Sequence, residues 1–418
     1  MLGFRKSRPD DADDNPGSKA EDSKSLLTTL SLGHLAIHWY QQLWPITLPS
    51  IKAGLGLSDI EVGTLASVKQ FTTGPLFLPA GILADFFRKR TALILAASFL
   101  FLGGAYVLVA QGSTYVWVIP GVALLGIGTA LWHPTATGAL SIRYAERRGT
   151  AIAIHGVGAS IGDTVAPIAI GGLLAVLTWQ DMLRVNMIPA LLIAFVLWRV
   201  MGKIYHVQEA GRPELRSYMT DAKNMLRHRL VIVVIGVMIL TTAARLGIMT
   251  FLPIYIQEDL EYSAFQLGFF WGLLHIMGGV SQPVMGYLSD RYGRKAVLLP
   301  SLIVFGFLYL ALSQANAGIQ LILVIGTLGI FFYALQTLTM AAVLDVAGEN
   351  VQASSMGITT IFTQLLVLPS PLIAGVLADR FGTQAVFLYA GSLTLLAALL
   401  VAVVRVPRTT RKTPRISG

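Results

Sequence analysis

Runs of about twenty consecutive apolar residues recur along the whole chain, and this feature limits the possible fold more than any other. A helix of that length crosses a hydrocarbon layer of roughly 30 Å. Only 13% of the 418 residues are charged, whereas ordinary soluble chains carry roughly 25%. The sequence therefore predicts an all-α polytopic membrane protein. We expect about twelve spans, near residues 26–51, 59–84, 91–111, 115–142, 149–176, 182–203, 230–256, 264–289, 296–314, 318–346, 352–378 and 384–405.

The polar stretches divide the chain. Residues 1–25 lack the apolar core and cleavage site of a secretory signal, so we predict a disordered cytoplasmic tail. The polar stretch 205–229 is expected to be a cytoplasmic linker between helical bundles at 26–204 and 230–406, and residues 407–418 a basic cytoplasmic tail. The absence of Cys excludes disulfides, thiolate metal sites and Cys nucleophiles.

The formal charge of +9 would suggest a nucleic-acid partner in a soluble domain, so the positions of the 31 Lys and Arg residues matter. Most lie in the tails, the linker and alternate short loops, whereas only Lys52, Arg184 and Arg380 lie in the opposite set of loops. This asymmetry is the positive-inside pattern. It predicts both termini in the cytoplasm, a multi-pass protein of the inner (plasma) membrane in contact with the lipid bilayer, and no nucleic-acid partner.

The chain also contains an internal repeat. GILADFFRKR at 81–90 aligns with GYLSDRYGRK at 286–295, and the LP pair at 48–49 aligns with that at 252–253, at offsets of about 205 residues. The sequence thus predicts two six-helix pseudo-repeats. In each repeat an acid, Asp85 or Asp290, precedes a basic cluster at a cytoplasmic helix end. Ion pairs there could break when the two halves rock.

This loop carries a family resemblance. It is similar to the G-x3-D-R-x-G-R-K loop of the major facilitator superfamily, with Gly286, Asp290, Arg291, Gly293, Arg294 and Lys295 in the second half. The first copy keeps Gly81, Asp85, Lys89 and Arg90, but has Phe86 and Arg88 where Arg and Gly are usual. The resemblance implies the major facilitator fold with twelve helices, and we assign these loop residues to conformational switching.

A narrower resemblance lies in spans 1, 4 and 5. SLGHLAIHWYQQL, ALWHPTATGAL and RRGTAIAIHGVGASIGDTVAPI are similar to stretches of fosmidomycin-resistance-type exporters. This implies proton-driven export of small, often anionic compounds. The chain departs from these relatives in having His38 where they tend to have Asp, while span 5 gains Asp163.

Charged residues inside predicted spans are candidate site residues, because a charge at the bilayer centre costs roughly 2.5 to 3.5 kcal/mol on insertion scales. Lys69 and Arg245 outnumber the single acid, so the expected site is net positive and suits a small organic anion. The repeat offset aligns Arg245 with Gln41 and brings His275 opposite Gln70, beside Lys69. The predicted substrate-binding residues are Lys69, Arg245, His34, His38, Gln41 and His275.

Proton coupling is expected from Asp163 and the intramembrane histidines, since imidazole exchanges protons in the physiological range. His34 and His38 are one helical turn apart, and His155 lies two turns from Asp163. The predicted proton carriers are Asp163, His38, His155 and His133. Structural alternatives remain open: the histidines could simply bond neighbouring helices, Lys69 could extend outward to the lipid interface, and Arg245 could form an ion pair with Asp163.

Missing motifs limit the energy source. The chain has no G-x4-G-K-[ST] phosphate loop, no H-E-x-x-H and no G-x-S-x-G, so we predict no enzyme activity, no cofactor and no resident metal. The leading prediction is a monomeric secondary transporter that exports a small organic anion or drug-like compound by proton antiport and alternating access. Proton-coupled uptake of a carboxylate, transport of a metal complex through the histidines, and a non-transporting receptor are the alternatives.

Overall fold

The computed structural model describes residues 16–205, 229–347 and 352–403. These residues form helices joined by short turns, and they contain no strand. The helices of the first half are α1 (Pro16–Leu55), α2 (Asp59–Thr73), α3 (Phe77–Phe86), α4 (Thr91–Gln111), α5 (Tyr115–Arg143), α6 (Arg148–Leu173), α7 (Trp179–Val185) and α8 (Met187–Ile204). Those of the second half are α9 (Arg229–Ile254), α10 (Ala264–Tyr292), α11 (Arg294–Leu312), α12 (Ile319–Phe332), α13 (Ala334–Ala347), α14 (Gln352–Leu366), α15 (Ser370–Phe381) and α16 (Gln384–Val403).

The repeat in the sequence is visible in how equivalent helices begin. Ser58 and Glu61 form a capping box at the start of α2, and Ser263 and Gln266 form the same box at the start of α10. In each box the serine hydroxyl accepts a bond from the third backbone N–H, and the Glu or Gln side chain accepts the N–H of the serine. These bonds satisfy amides that have no partner within the helix. The residues that cap equivalent helices are therefore repeated in the two halves.

Ten helical segments of the described part are long and apolar enough to cross a membrane. The first two predicted spans are not among them. The α1 helix carries polar side chains in its middle, and the second span is broken into α2 and α3. The all-α polytopic fold is confirmed, and for these two segments the crossing stays a prediction from the repeat.

Several boundaries differ from the predicted ones. The α1 helix begins at Pro16, so residues 16–25 of the expected disordered tail are helical, with the hydroxyl of Tyr144 donating to the Ser23 carbonyl at 2.5 Å. Proline is well suited to a first helical position because the N–H it lacks would be unpaired there. Residues 1–15, most of the predicted linker 205–229 and the tail 407–418 lie outside the described residues.

Four predicted spans are interrupted helices. The breaks lie near Pro75 between α2 and α3, at Asn186 between α7 and α8, at Tyr333 between α12 and α13, and near Pro369 between α14 and α15. Proline ends a helix because it has no N–H to donate and its ring crowds the preceding turn. At the Tyr333 break, the side chain lies at the interface between the halves, where its hydroxyl bonds Asp163.

The two halves meet closely on one side of the molecule. We call the membrane face at which α1 begins and α16 ends the terminal face, and the opposite one the distal face. Near the distal face a Cβ added to Gly268 would lie 2.2 Å from the carbonyl oxygen of Pro167, and one added to Gly63 would lie 2.4 Å from that of Pro371. Only glycine permits this approach of α10 to α6 and of α2 to α15.

An ion pair adds to this distal contact. Nζ of Lys52, at the end of α1, lies 2.5 Å from Oε2 of Glu258 in the second half and 2.9 Å from Oδ1 of Asp59. Burial acts to lower the pKa of Lys52, but its hydrogen bonds to Glu258 and Asp59 outweigh burial and raise that pKa above its usual value. The space between the halves is thus closed toward the distal face.

Candidate functional site

A cavity of about 520 Å³ lies between the two halves. Seven of the predicted site residues line it, namely His38, Gln41, Lys69, His133, Asp163, Arg245 and His275. They come from α1, α2, α5 and α6 of the first half and from α9 and α10 of the second. This is the position at which transporters built from repeats bind their substrates.

Asp163 is the centre of a hydrogen-bond network. The residue is 6% exposed, and its carboxylate lies 2.8 Å from Nδ1 of His38, 2.5 Å from Nε2 of Gln42 and 2.8 Å from the Tyr333 hydroxyl. Gln42 and Tyr333 donate to it, and His38 donates when Nδ1 carries the proton. A carboxylate that only accepts hydrogen bonds is ionised, so this arrangement fits charged Asp163.

The network continues through Tyr333 into the second half. Because the Tyr333 hydroxyl donates to Asp163, its oxygen accepts a hydrogen bond from Nδ1 of His275 at 2.5 Å. The other ring nitrogen of His275 then faces Nε2 of Gln42 at 3.5 Å. Oε1 of Gln42 accepts from the Trp271 indole at 2.7 Å. We call these six residues, His38, Gln42, Asp163, Trp271, His275 and Tyr333, the Asp163 network. It joins the halves at the cavity wall.

The two cations of the cavity have no acidic partner among the described residues. Lys69 forms no side-chain ion pair there, and it lines the cavity and does not extend outward to the lipid interface. Arg245 lies over the Phe332 ring at 4.6 Å and reaches Gln336 only at 3.5 Å, while its buried Nε has no hydrogen-bond partner. The ion pair between Arg245 and Asp163 considered from the sequence is not formed in this conformation.

Four histidines form a second group beside the network. We call His34, His38, His133 and His155 the histidine cluster. The His34 and His155 rings stack at 3.9 Å, and the His34 ring lies 4.8 Å from His38 and 5.4 Å from His133. His34 and His155 are buried behind the cavity wall, at 8% and 1% exposure. They are not among the residues that line the cavity, unlike His38 and His133.

Sequence reasoning missed three side chains of the site. Tyr333 and Trp271 belong to the Asp163 network, and Gln336 lines the cavity beside Arg245. Trp271 lies one helical turn before His275, so a search along that helical face would have found it. Gln336 is an amide within an apolar span, which is a further signal. A tyrosine in a membrane span gives little indication of its role, because its ring packs like any other aromatic.

The predicted switch loops form ion pairs within each half. Asp85 pairs with Arg88 at 3.0 Å, and Arg294 pairs with Asp290 at 2.6 Å and with Asp345 of α13 at 2.8 Å. Gly293 has a φ of +96°, a conformation that glycine adopts without strain. In this conformation these ion pairs do not join the two halves. A role for these loops in conformational switching therefore stays a prediction.

Comparisons with known proteins agree on one family. The model of the Major Facilitator Superfamily matches residues 30–283 and 275–418. An uncharacterised MFS-type transporter of Methanocaldococcus jannaschii is 22% identical over 86% of this chain and 90% of its own length. The fosmidomycin resistance protein of Escherichia coli is 24% identical over 68% of this chain and 70% of its own length. The crystal structure of a D-xylose-proton symporter, 17% identical, superposes with a TM-score of 0.72 over 93% of this chain and 99% of that one.

Proposed function

The chain belongs to the Major Facilitator Superfamily, whose members are membrane transporters and not enzymes, and from this premise we propose that it exports a small organic anion in exchange for protons. One observation carries the proposal. Lys69 from the first half and Arg245 from the second line one cavity without an acidic partner in the described residues. The proposed cycle is alternating access about this cavity.

The charge of the cavity favours an anion. With Asp163 ionised, Lys69 and Arg245 leave a net positive charge before any histidine is protonated. Arg245 also keeps a buried N–H without an acceptor, which is costly unless a ligand supplies one. A guanidinium offers several donors in one plane, a geometry suited to carboxylates and phosphonates. An anion bound by both cations would connect the two halves.

The Asp163 network supplies a means of proton coupling. Asp163 accepts three hydrogen bonds in this conformation. The bond from Tyr333 joins the two halves, and Gln42, another of the donors, itself accepts a hydrogen bond from Trp271 of the second half. When Asp163 takes a proton, it loses the negative charge that strengthens the bonds it accepts, so its oxygens become weaker acceptors. Protonation would therefore weaken the contact between the halves at the cavity. His38 is the proposed route of that proton, because it bonds Asp163 and lines the cavity.

The direction of transport rests on the relatives. The name of the Escherichia coli relative refers to resistance against fosmidomycin, and removal from the cell is a direct route to resistance. We propose that both termini lie in the cytoplasm, as the positive-inside rule predicts. The terminal face is then cytoplasmic, and because the distal face is closed, we propose that the cavity in this conformation is reached from the cytoplasm.

Proton movement in proteoliposomes tests the proposal. Vesicles loaded with a pH-sensitive dye would be challenged with phosphonates, carboxylates, sugar phosphates and cationic drugs. We expect proton flux with anions only, in the direction opposite to the substrate, and loss of flux in Asp163→Asn. The matched control is Asp181→Asn, since Asp181 is an exposed acid outside the cavity. Flux in the same direction as the anion would indicate uptake by symport. Flux with cationic drugs would overturn the anion assignment.

A further inference from the structure

The histidine cluster has a geometry that proton transfer alone does not need. His34 and His38 of α1 and His133 of α5 each offer one ring nitrogen, and these three nitrogens lie within 4.8 Å of one another. Imidazole is a preferred ligand of late first-row transition metals. We propose that His34, His38 and His133 form a binding site for a divalent ion such as Zn²⁺. All three belong to the first half, so the ligand set does not require contact between the two halves.

Hydrogen bonds determine which ring nitrogen of His34 and of His38 is free to bind a metal. Nδ1 of His34 lies 2.8 Å from the His155 carbonyl oxygen, and Nδ1 of His38 lies 2.8 Å from the Asp163 carboxylate. Both acceptors require the proton on Nδ1, which leaves the lone pair on Nε2. Histidines that bind metals have this arrangement, with the second nitrogen donating to a carbonyl or a carboxylate. His34 and His38 thus hold the required tautomer without a metal.

The third proposed ligand, His133, is hydrogen-bonded to the side-chain amide of Gln41. Nε2 of His133 lies 3.1 Å from Nε2 of Gln41, whose amide can only donate from that atom. The lone pair of His133 is therefore on Nε2, and a metal ion would replace the amide N–H of Gln41. Gln41 also lines the cavity, so its side chain has space to turn away.

The distances permit closure with small movements. A Zn–N bond of about 2.0–2.1 Å in tetrahedral geometry implies about 3.4 Å between ligand nitrogens. The present limit of 4.8 Å therefore has to shrink by about 1.4 Å at most. His38 and His133 border the cavity and can move into it, while stacking on His155 holds the His34 ring. The fourth coordination position would face the cavity, open to water or an anion.

Zinc binding to the purified protein tests the site directly. The full chain would be studied in detergent with its affinity tag removed, because a polyhistidine tag binds zinc itself. We expect calorimetry to give one saturable Zn²⁺ site, and Co²⁺ to show the visible bands of a four- or five-coordinate ion. X-ray absorption of the zinc-loaded wild type should show three imidazole ligands, a result that needs no variant.

Substitutions identify the ligands. His34→Gln and His133→Gln should each lower zinc affinity by at least about 100-fold, since loss of an outer partner alone costs 10- to 100-fold. His206→Gln removes an imidazole of the predicted linker, outside the cluster, and it should leave zinc affinity unchanged. Size-exclusion profiles identify any variant that fails to fold. Absence of a saturable site, fewer than three imidazoles in the absorption spectrum, or equal affinity in folded His133→Gln would overturn the proposal.

Discussion

The Tyr333 hydroxyl is the most informative single group to remove, because it joins the halves at the proposed proton site. Tyr333→Phe deletes the 2.8 Å bond to Asp163 and the 2.5 Å bond from His275. The ring stays in place, so its packing against Phe332 is retained. The change therefore tests the hydroxyl and little else.

The expected magnitude follows from the kind of bond. A hydrogen bond to a charged group contributes about 1.5–3 kcal/mol. If this bond is made only in the conformation closed toward the distal face, its loss shifts the conformational equilibrium by about 2 kcal/mol, or roughly 30-fold. The direction is away from the present conformation and toward one open to the distal face.

Cysteine labelling measures this shift, and the natural absence of Cys makes the chain well suited to it. Met249 lines the cavity, so Met249→Cys reports from which face the cavity can be reached. A membrane-impermeant maleimide would be applied to each side of vesicles of known orientation. We expect Tyr333→Phe to label faster from the distal face than the parent Met249→Cys protein.

Tyr309→Phe is the matched control for this experiment. Tyr309 is a fully buried tyrosine of the same half, and its hydroxyl has no hydrogen-bond partner. Its removal should leave the labelling rates unchanged. A folded Tyr333→Phe protein that labels like Tyr309→Phe from both faces would refute the reasoning that Tyr333 holds the halves together.

Three further perturbations test other parts of the structure. Lys52→Gln breaks an ion pair in which Glu258 is 37% exposed, so distal-face labelling of Met249→Cys should rise by less than about fivefold. Because the pKa of Lys52 is raised, the contribution of this pair is complete below the usual lysine pKa and is lost only as pH rises through the higher value. A labelling increase in the parent Met249→Cys protein near neutral pH that matches Lys52→Gln would contradict this. Gly268→Val places a side chain where a Cβ would lie 2.2 Å from the Pro167 carbonyl oxygen, so α10 has to move away and the melting temperature should fall. Gly156→Ala is the control, because a Cβ there meets no atom within 4 Å, and its melting temperature should be unchanged. Equal melting temperatures of the two variants would count against tight packing near the distal face. Lys69→Ala should weaken anion binding by at least tenfold, as expected for loss of a charge-assisted bond, and Lys69→Arg should recover part of the affinity. Calorimetry with the anion identified in the vesicle assay measures this affinity. Unchanged affinity in Lys69→Ala would remove Lys69 from the site.

The charged residues of the site were predictable from the sequence, because a charged side chain inside a membrane span is energetically costly. Lys69, Arg245 and Asp163 stand out in apolar spans because a charge there needs a compensating environment. All three line the cavity. The partners of these groups were less predictable, since Arg245 and Asp163 do not pair and Asp163 is instead bonded by His38, Gln42 and Tyr333. Pairing depends on distances across helices, which sequence spacing along one helix does not contain.

The helix interruptions were also predictable from the sequence only in part. Pro75 and Pro369 could have predicted two breaks from their missing N–H groups. The break at Tyr333 contains no proline or glycine between α12 and α13. We find no local sequence signal for it, and its consequence is visible only where the side chain meets α6.

The amino-acid sequence by itself determined the membrane class, the duplicated architecture and the family, because these depend on apolar run length, charge asymmetry and repeated motifs that are local in the chain. It also indicated the titratable residues of the site, through the cost of charge in hydrocarbon. Only the tertiary structure decided which of them share hydrogen bonds, that His34 and His155 are buried behind the cavity wall, and that the distal face is closed. Those properties depend on distances of a few ångströms between helices far apart in sequence, and packing of the whole bundle sets such distances.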